Sequence, residues 1–188
     1  MKKFLILICI LFLISGCSSG YLSGKVNVEM KVENYGVIKL ELDADEAPIT
    51  VTNFVNLVKE GFYDGLTFHR IIEDFMIQGG DPKHDGTGNS NKMIKGEFSS
   101  NGVENNILHK RGVISMARGG YSKDSASCQF FIVQKDSPHL DGDYAAFGYV
   151  TSGMDIVDKI ASDAIVEDEN GTVLYENQPV IKYIKVVE

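Results

Sequence analysis

The stretch FHRIIEDFMIQGGD, residues 68–81, decides how the rest of the chain is read. It sets a permanent cation, Arg70, and a neutral amide, Gln78, among Phe68, Ile71, Ile72, Phe75, Met76 and Ile77. Two strand-like runs of β-branched and aromatic residues flank the polar pair Glu73-Asp74, a hairpin signal, although weaker than Asn-Gly or Asp-Gly. The link length fixes the register. Three residues put Arg70 across from Gln78, whereas two put His69 there and turn Arg70 towards Ile77. Gly79-Gly80 then lets the backbone turn sharply or come close to a ligand. A cation and an amide among large apolar side chains mark a candidate site; the plainer alternative is an edge hairpin whose arginine snorkels into water.

Upstream, Val26, Val28, Met30 and Val32 alternate with polar residues, as do Ile38, Leu40 and Leu42, around a turn at Asn34-Tyr35-Gly36. This predicts an antiparallel hairpin with one buried face. Pro48 opens a helix on which Val51, Phe54, Val55 and Val58 recur, and Gly61 closes it. Downstream, residues 81–106 are rich in Gly, Asn, Ser and Lys and read as an extended surface loop anchored by Met93, Ile94, Phe98 and Val103. Its GTGNSN portion lacks the GKS or GKT ending of a phosphate loop. Strands are expected at 112–117 (GVISMA), 128–134 (CQFFIVQ), 145–150 and 180–187 (VIKYIKVV). Ser152 with Asp155 three residues on predicts a capping box for a second helix, with Met154, Val157 and Ala161 on one face and Ile156 and Ile160 beside it. Many short strands with two helices predict a mainly β fold: a closed antiparallel barrel capped at its ends, or an open sandwich.

The chain opens on Met1-Lys2-Lys3 and the run FLILICILFL, a basic segment and an apolar stretch too short for a comfortable membrane span. Residues 1–16 read as an export signal, ending in Ile14-Ser15-Gly16 before Cys17, a succession that resembles the lipobox of bacterial lipoproteins. Cys17 is then the expected lipidation site, and 17–25 a Ser/Gly-rich tether reaching about 15 Å as flexible coil, ahead of one domain over 26–188. The alternative is an ordinary cleaved signal. On the lipoprotein reading the protein is exported and anchored at the extracytoplasmic membrane face. Loss of residues 1–16 removes Lys2 and Lys3 and no acid, so 18 basic and 26 acidic residues become 16 and 26, a net charge of −10. Such a balance argues against nucleic acid as a partner. Cys9 leaves with the signal and Cys17 carries lipid, so Cys128 stands alone, a small core residue with no partner for a disulfide or a CxxC site. His69, His84, His109 and His139 show no metal-ligand spacing, Ser115, Ser125 and Ser127 lack a GxSxG elbow, and Asp141-Gly142-Asp143 reads as a turn.

FHRIIEDFMIQGGD, GVISMA, SCQFFI and HLDGDYAAFGYV occur in the order and rough spacing of the cyclophilin family of peptidyl-prolyl isomerases, which the chain resembles over about 26–187. The resemblance implies a closed eight-stranded antiparallel barrel capped by two α-helices, with a shallow active groove on its outside. It implies that Arg70 is catalytic and that Phe75, Met76, Phe131 and Leu140 wall the proline pocket. Gln78, Ala117 and Gln129 are similar to the groups that bind or border the peptide. No metal or organic cofactor is implied; the partners are proline-containing polypeptides, and a monomer is expected.

Three positions depart from the better-known eukaryotic pattern: His139 stands where many members have tryptophan, Tyr144 where many have histidine, and Arg118 where many have asparagine. All three count as candidate substrate contacts. The first two alter the rim, and His139 implies weaker cyclosporin binding; the third matters less if, as in the family, its backbone makes the peptide contact, but its added positive charge favours acidic residues near the proline. Two function classes stay open: an extracytoplasmic foldase acting on newly exported chains, and a tethered proline-peptide binding module or adhesin-like surface protein in which turnover is incidental.

Overall fold

Alternation in the first two strands becomes a buried face. Val28, Met30 and Val32 of β1 (Lys25–Val32) and Ile38, Leu40 and Leu42 of β2 (Gly36–Asp43) all lie in the core. The protein, seen in a computed structural model that describes residues 20–187, is mainly β. The remaining strands are β3 (Phe68–Ile72), β4 (Met76–Gly79), β5 (Val113–Met116), β6 (Phe130–Val133), β7 (Ala146–Ser152) and β8 (Ile181–Val187). All pairs are antiparallel, in the order β3-β4-β6-β5-β7-β2-β1-β8. The two outer strands do not form a full ladder. Instead the sheet curls until residues 65–68, leading into β3, hydrogen-bond with 179–181, leading into β8.

Segment 170–173 covers the outer edge of β3: the Ile71 amide donates to the Gly171 carbonyl and the Val173 amide to the His69 carbonyl. Gly171 has φ of 78°, and a Cβ there would run into the Ile71 carbonyl, so only glycine lets the backbone come this close. This contact both protects an edge and delivers the Asn170 carbonyl to the site.

Two helices cap the sheet. α1 (Pro48–Lys59) buries Val51, Phe54, Val55, Leu57 and Val58, with the Phe54 ring 5.0 to 5.6 Å from those of Tyr63, Phe130 and Phe147. α2 (Met154–Asp163) buries Val157, Ile160 and Ala161. The capping box expected from Ser152 and Asp155 does not form. Ser152 remains in β7, paired with Lys39, and the N-cap is Gly153 in the left-handed conformation.

The tract ahead of β1 is docked as it enters the fold. Leu22 packs on the core and its amide donates to Thr52 Oγ1, while the Gly24 amide donates to Asp45 Oδ1. The tether expected over 17–25 therefore has its C-terminal part fixed to the domain, and Lys25 already belongs to β1. Cys17 and the export signal lie outside the described residues.

The long connection after β4 is irregular, as its composition predicts, but it is not merely superficial. Ile94 and Phe98 anchor it, Val103 is half-buried, and Met93, expected as an anchor, is 49% exposed. A polar residue anchors it too. Glu97, only 2% exposed, accepts the Ile49 and Thr50 amides and the Thr50 hydroxyl at 3.0, 2.8 and 2.7 Å. The α1 N-terminus has no cap of its own, and this distant carboxylate satisfies its orphan donors and its dipole. Glu97→Ala strands those groups and is expected to cost about 2 to 3 kcal/mol of stability; a denaturant midpoint unchanged from wild type would contradict this.

Candidate functional site

The site begins with an irregularity in β3. Phe68 pairs with Gly79 and Arg70 with Gln78, so two steps on β3 oppose one on β4, and His69 is the extra residue. The bulge breaks simple alternation: Phe68 and Ile71 both enter the core, and Arg70 is turned to the outer face. Ile72 pairs with Met76, so the link is the three-residue one, Glu73-Asp74-Phe75, with Asp74 at φ of 61°. Gly79 and Gly80 serve packing, not ligand approach. A Cβ on Gly79 would meet the Thr67 carbonyl and Phe68, and one on Gly80 would meet Cys128, Phe130 and Tyr63.

Beyond the bulge the sheet is apolar on both faces. Ile77, Phe130, Ile132, Ile114 and Phe147 point into the barrel, while Met76, Phe131, Val133, Val113 and Ala146 form a second cluster outside it with Leu140, Ile72, Phe75, Ala117 and Tyr144. Two buried faces explain why FFIV, the strand itself, is unbroken apolar sequence. Cys128 is buried, and burial pushes its thiol upward, as suits a core residue.

The outer cluster is open at one point. A hollow of about 180 Å³ is lined by Arg70, Phe75, Met76, Gln78, Ala117, Arg118, Phe131, Leu140 and Tyr144. Nine of the residues singled out by sequence thus surround one space. Gln129 lines the adjoining hollow, which shares Gln78, Ala117 and Arg118 and adds Thr87, Asn89 and Tyr121 among others. His139 stands at the rim, exposed, its ring 5.3 Å from that of Phe75.

Arg70 is held on both sides. Its Nε donates to the Asn170 carbonyl at 2.8 Å, and Nη1 donates to Gln78 Oε1 at 3.3 Å with Met76 Sδ at 3.9 Å. Gln78 Nε2 in turn donates to Gln129 Oε1, whose own amide donates to the Gly86 and Gly88 carbonyls. Burial draws the arginine's pKa down, with Tyr144 and Asp168 opposing, yet a guanidinium keeps its proton. The site is therefore a fixed, half-buried cation at the wall of an apolar hollow, and its lining residues include no carboxylate, imidazole or thiol to act as base or nucleophile.

Over residues 27–186 the sequence matches the family described as "Cyclophilin type peptidyl-prolyl cis-trans isomerase/CLD". The chain belongs to the cyclophilin family of peptidyl-prolyl cis-trans isomerases. A peptidyl-prolyl cis-trans isomerase of Helicobacter pylori is 48% identical over 136 residues, covering 71% of this chain and 80% of the relative. Peptidyl-prolyl cis-trans isomerase B of Bacillus subtilis is 42% identical over 137 residues, covering 73% and 92%. A Cryptosporidium parvum cyclophilin-type isomerase, crystallised in the presence of the dipeptide Ala-Pro, superposes with a TM-score of 0.75 at 28% identity over 86% of this chain and 99% of that one.

Beneath the pocket of this cyclophilin lies a polar group that sequence reasoning passed over. His109, 1% exposed, stacks on Phe131 at 6.0 Å between ring centroids. Its Nδ1 is 3.0 Å from Asp141 Oδ1, which also accepts the His109 amide, and its Nε2 is 3.0 Å from the buried Ser115 hydroxyl. With Asp141 accepting from Nδ1–H, Nε2 is left to accept from Ser115. The turn read at 141–143 is present, and Asp141 uses it to tie the loop bearing Leu140 to the pocket floor.

Burial holds two imidazoles, His69 and His109, below the ordinary value of 6.5, and at His109 the neighbouring Asp141 opposes this only in part. A histidine whose folded pKa is depressed contributes stability above its unfolded value and loses it as pH falls towards the folded one. Stability to urea is expected to fall as pH is lowered from about 7.5 to about 5.5, and His109→Gln to flatten part of that slope. Equal slopes in the two proteins would remove His109 from the account.

Proposed function

We propose that this isomerase acts on prolines of exported polypeptides at the membrane surface, tethered through lipid on Cys17, and that Arg70 supplies its catalytic interaction. Rotation about an X-Pro bond loses amide resonance against a barrier of about 18 to 20 kcal/mol. In the twisted state the prolyl nitrogen regains a lone pair, and a fixed guanidinium donates to it more strongly than to the planar amide. That difference lowers the barrier, because only interactions stronger in the transition state do so.

The observation that carries this reading is the immobilised Arg70 guanidinium beside an apolar hollow. Asn170 and Gln78 take two of its donors and fix its plane, so little reorganisation remains when the amide twists. Phe75, Met76, Phe131 and Leu140 supply an apolar seat for the ring while the carbonyl side turns. Arg70→Ala is expected to lower turnover roughly a hundredfold to a thousandfold, about 2.7 to 4 kcal/mol, with much smaller loss of peptide affinity. Lysine rescues poorly, since it lacks the planar fork. Exchange spectroscopy on an Ala-Pro peptide, with titration of the same peptide, separates the two quantities. Equal losses of rate and affinity would instead favour a binding module.

The location rests on the basic, apolar and small-residue succession before Cys17. With Leu22 fixed on α1, four residues separate the domain from that cysteine, a span of at most about 18 Å. Labelling cells with a fatty acid is expected to mark the wild-type protein and not Cys17→Ser. An unlabelled wild type would overturn the lipoprotein reading.

A further inference from the structure

The chain has three arginines, and the structure uses one of them differently from the other two. Arg111 is spent in a paired contact with Asp158, at 2.8 and 2.7 Å, and also donates to the Gln134 carbonyl. Arg70 and Arg118 both face the groove, and neither forms an ion pair among the described residues. The two hollows together are lined by these two cations and by no carboxylate.

Arg118 occupies the saddle, since it lines both hollows. Its Nε donates to the Asp143 carbonyl at 2.9 Å and Nη1 reaches the Gly119 carbonyl at 3.4 Å. Its guanidinium carbon lies 4.9 Å from the centroid of Tyr144 and 5.4 Å from that of Phe98. These contacts hold the guanidinium in place at little further entropic cost, and Nη2 has no partner among the described residues. The acids of the surrounding loops hydrogen-bond to neutral donors, and none pairs with Arg118 among the described residues. The Asp143 carboxylate accepts from Ser100, Asp124 from the Gly96 amide and Asn101, and Asp85 from Thr87.

We propose that the preferred substrates are X-Pro segments with a carboxylate side chain one or two residues from the proline, and that Arg118 is the residue that reads it. This rests on the isomerase reading of the same groove and adds to it a substrate class. The proline ring enters the hollow of Arg70 and Phe131, and the peptide continuing across the saddle passes the open edge of Arg118. Arg70 adds to the local positive field but is committed to the prolyl amide. The protein's overall negative charge opposes acidic peptides at long range; that field is common to wild type and variants, so exchanging the charge at position 118 isolates the local contact.

The test holds Ala-Pro constant and places Glu, Gln or Lys one or two residues away on either side, reading kcat/KM from cis/trans exchange. At low salt the wild type is expected to favour Glu over Lys about fivefold at one or more of these positions, a ratio that shrinks as salt screens it. Arg118→Gln is expected to bring the ratio near one, and Arg118→Glu to reverse it. A wild type without charge preference, or a ratio that survives Arg118→Glu, overturns the proposal while leaving isomerisation intact. Failure to turn over any of the peptides removes the isomerase reading beneath it.

Discussion

One extra residue in β3 sets the geometry on which the site depends. Without the bulge at His69, regular alternation would place Phe68 and Arg70 on the same face, and either the core would receive a cation or the hollow would lose one. The bulge gives each side chain its proper solvent. Other segments then hold the arginine where the bulge has turned it. The Asn170 carbonyl reaches Arg70 only because Gly171 lets segment 170–173 lie against β3, and Gln78 keeps its orientation through Gln129 and two backbone carbonyls. His69 itself sits 5% exposed, and neither ring nitrogen has a hydrogen-bond partner among the described residues.

The second constraint is that one sheet serves two apolar clusters. A half-buried antiparallel sheet needs polar residues on its outer face, but here β4, β5 and β6 place Met76, Val113, Phe131 and Val133 there. Leu140, Tyr144 and Phe75 cover most of that surface, and the part left open is the hollow. The pocket is therefore a gap in a second hydrophobic core. Its wall at Phe131 is backed by the bonded His109, Ser115 and Asp141 as well as by packing.

Much of this was legible in the sequence because it depends on neighbours along the chain. The β1–β2 hairpin, α1 opened by Pro48, and the short apolar strands come from period and punctuation. Arg70 and Gln78 among Phe75 and Met76 stood out in the stretch 68–81 itself, and the other residues around the hollow came from the family resemblance. The features that escaped depend on polar residues whose partners lie far along the chain. Glu97, His109 and Asn170 sit in stretches whose composition announces only a loop, and nothing local separates them from solvated neighbours. The bulge was hidden for another reason: a single-residue change of register leaves the run FHRII looking like any buried strand. Ser152 misled in the opposite direction, since its local cap pattern lost to ladder pairing with Lys39.

The carboxylate at the head of α1 also bears on the order in which the molecule comes together. Ile49 and Thr50 receive their acceptor from a residue 48 and 47 positions further on, in a segment that has no ladder of its own to hold it. Closing so long a loop costs entropy before it returns anything, so these two amides gain their acceptor only when the chain beyond β4 has docked. In the native state the dependence runs the other way. Opening of the loop around Glu97 releases two helix amides at once, so their exchange with solvent reports the motion of a segment that neither of them belongs to.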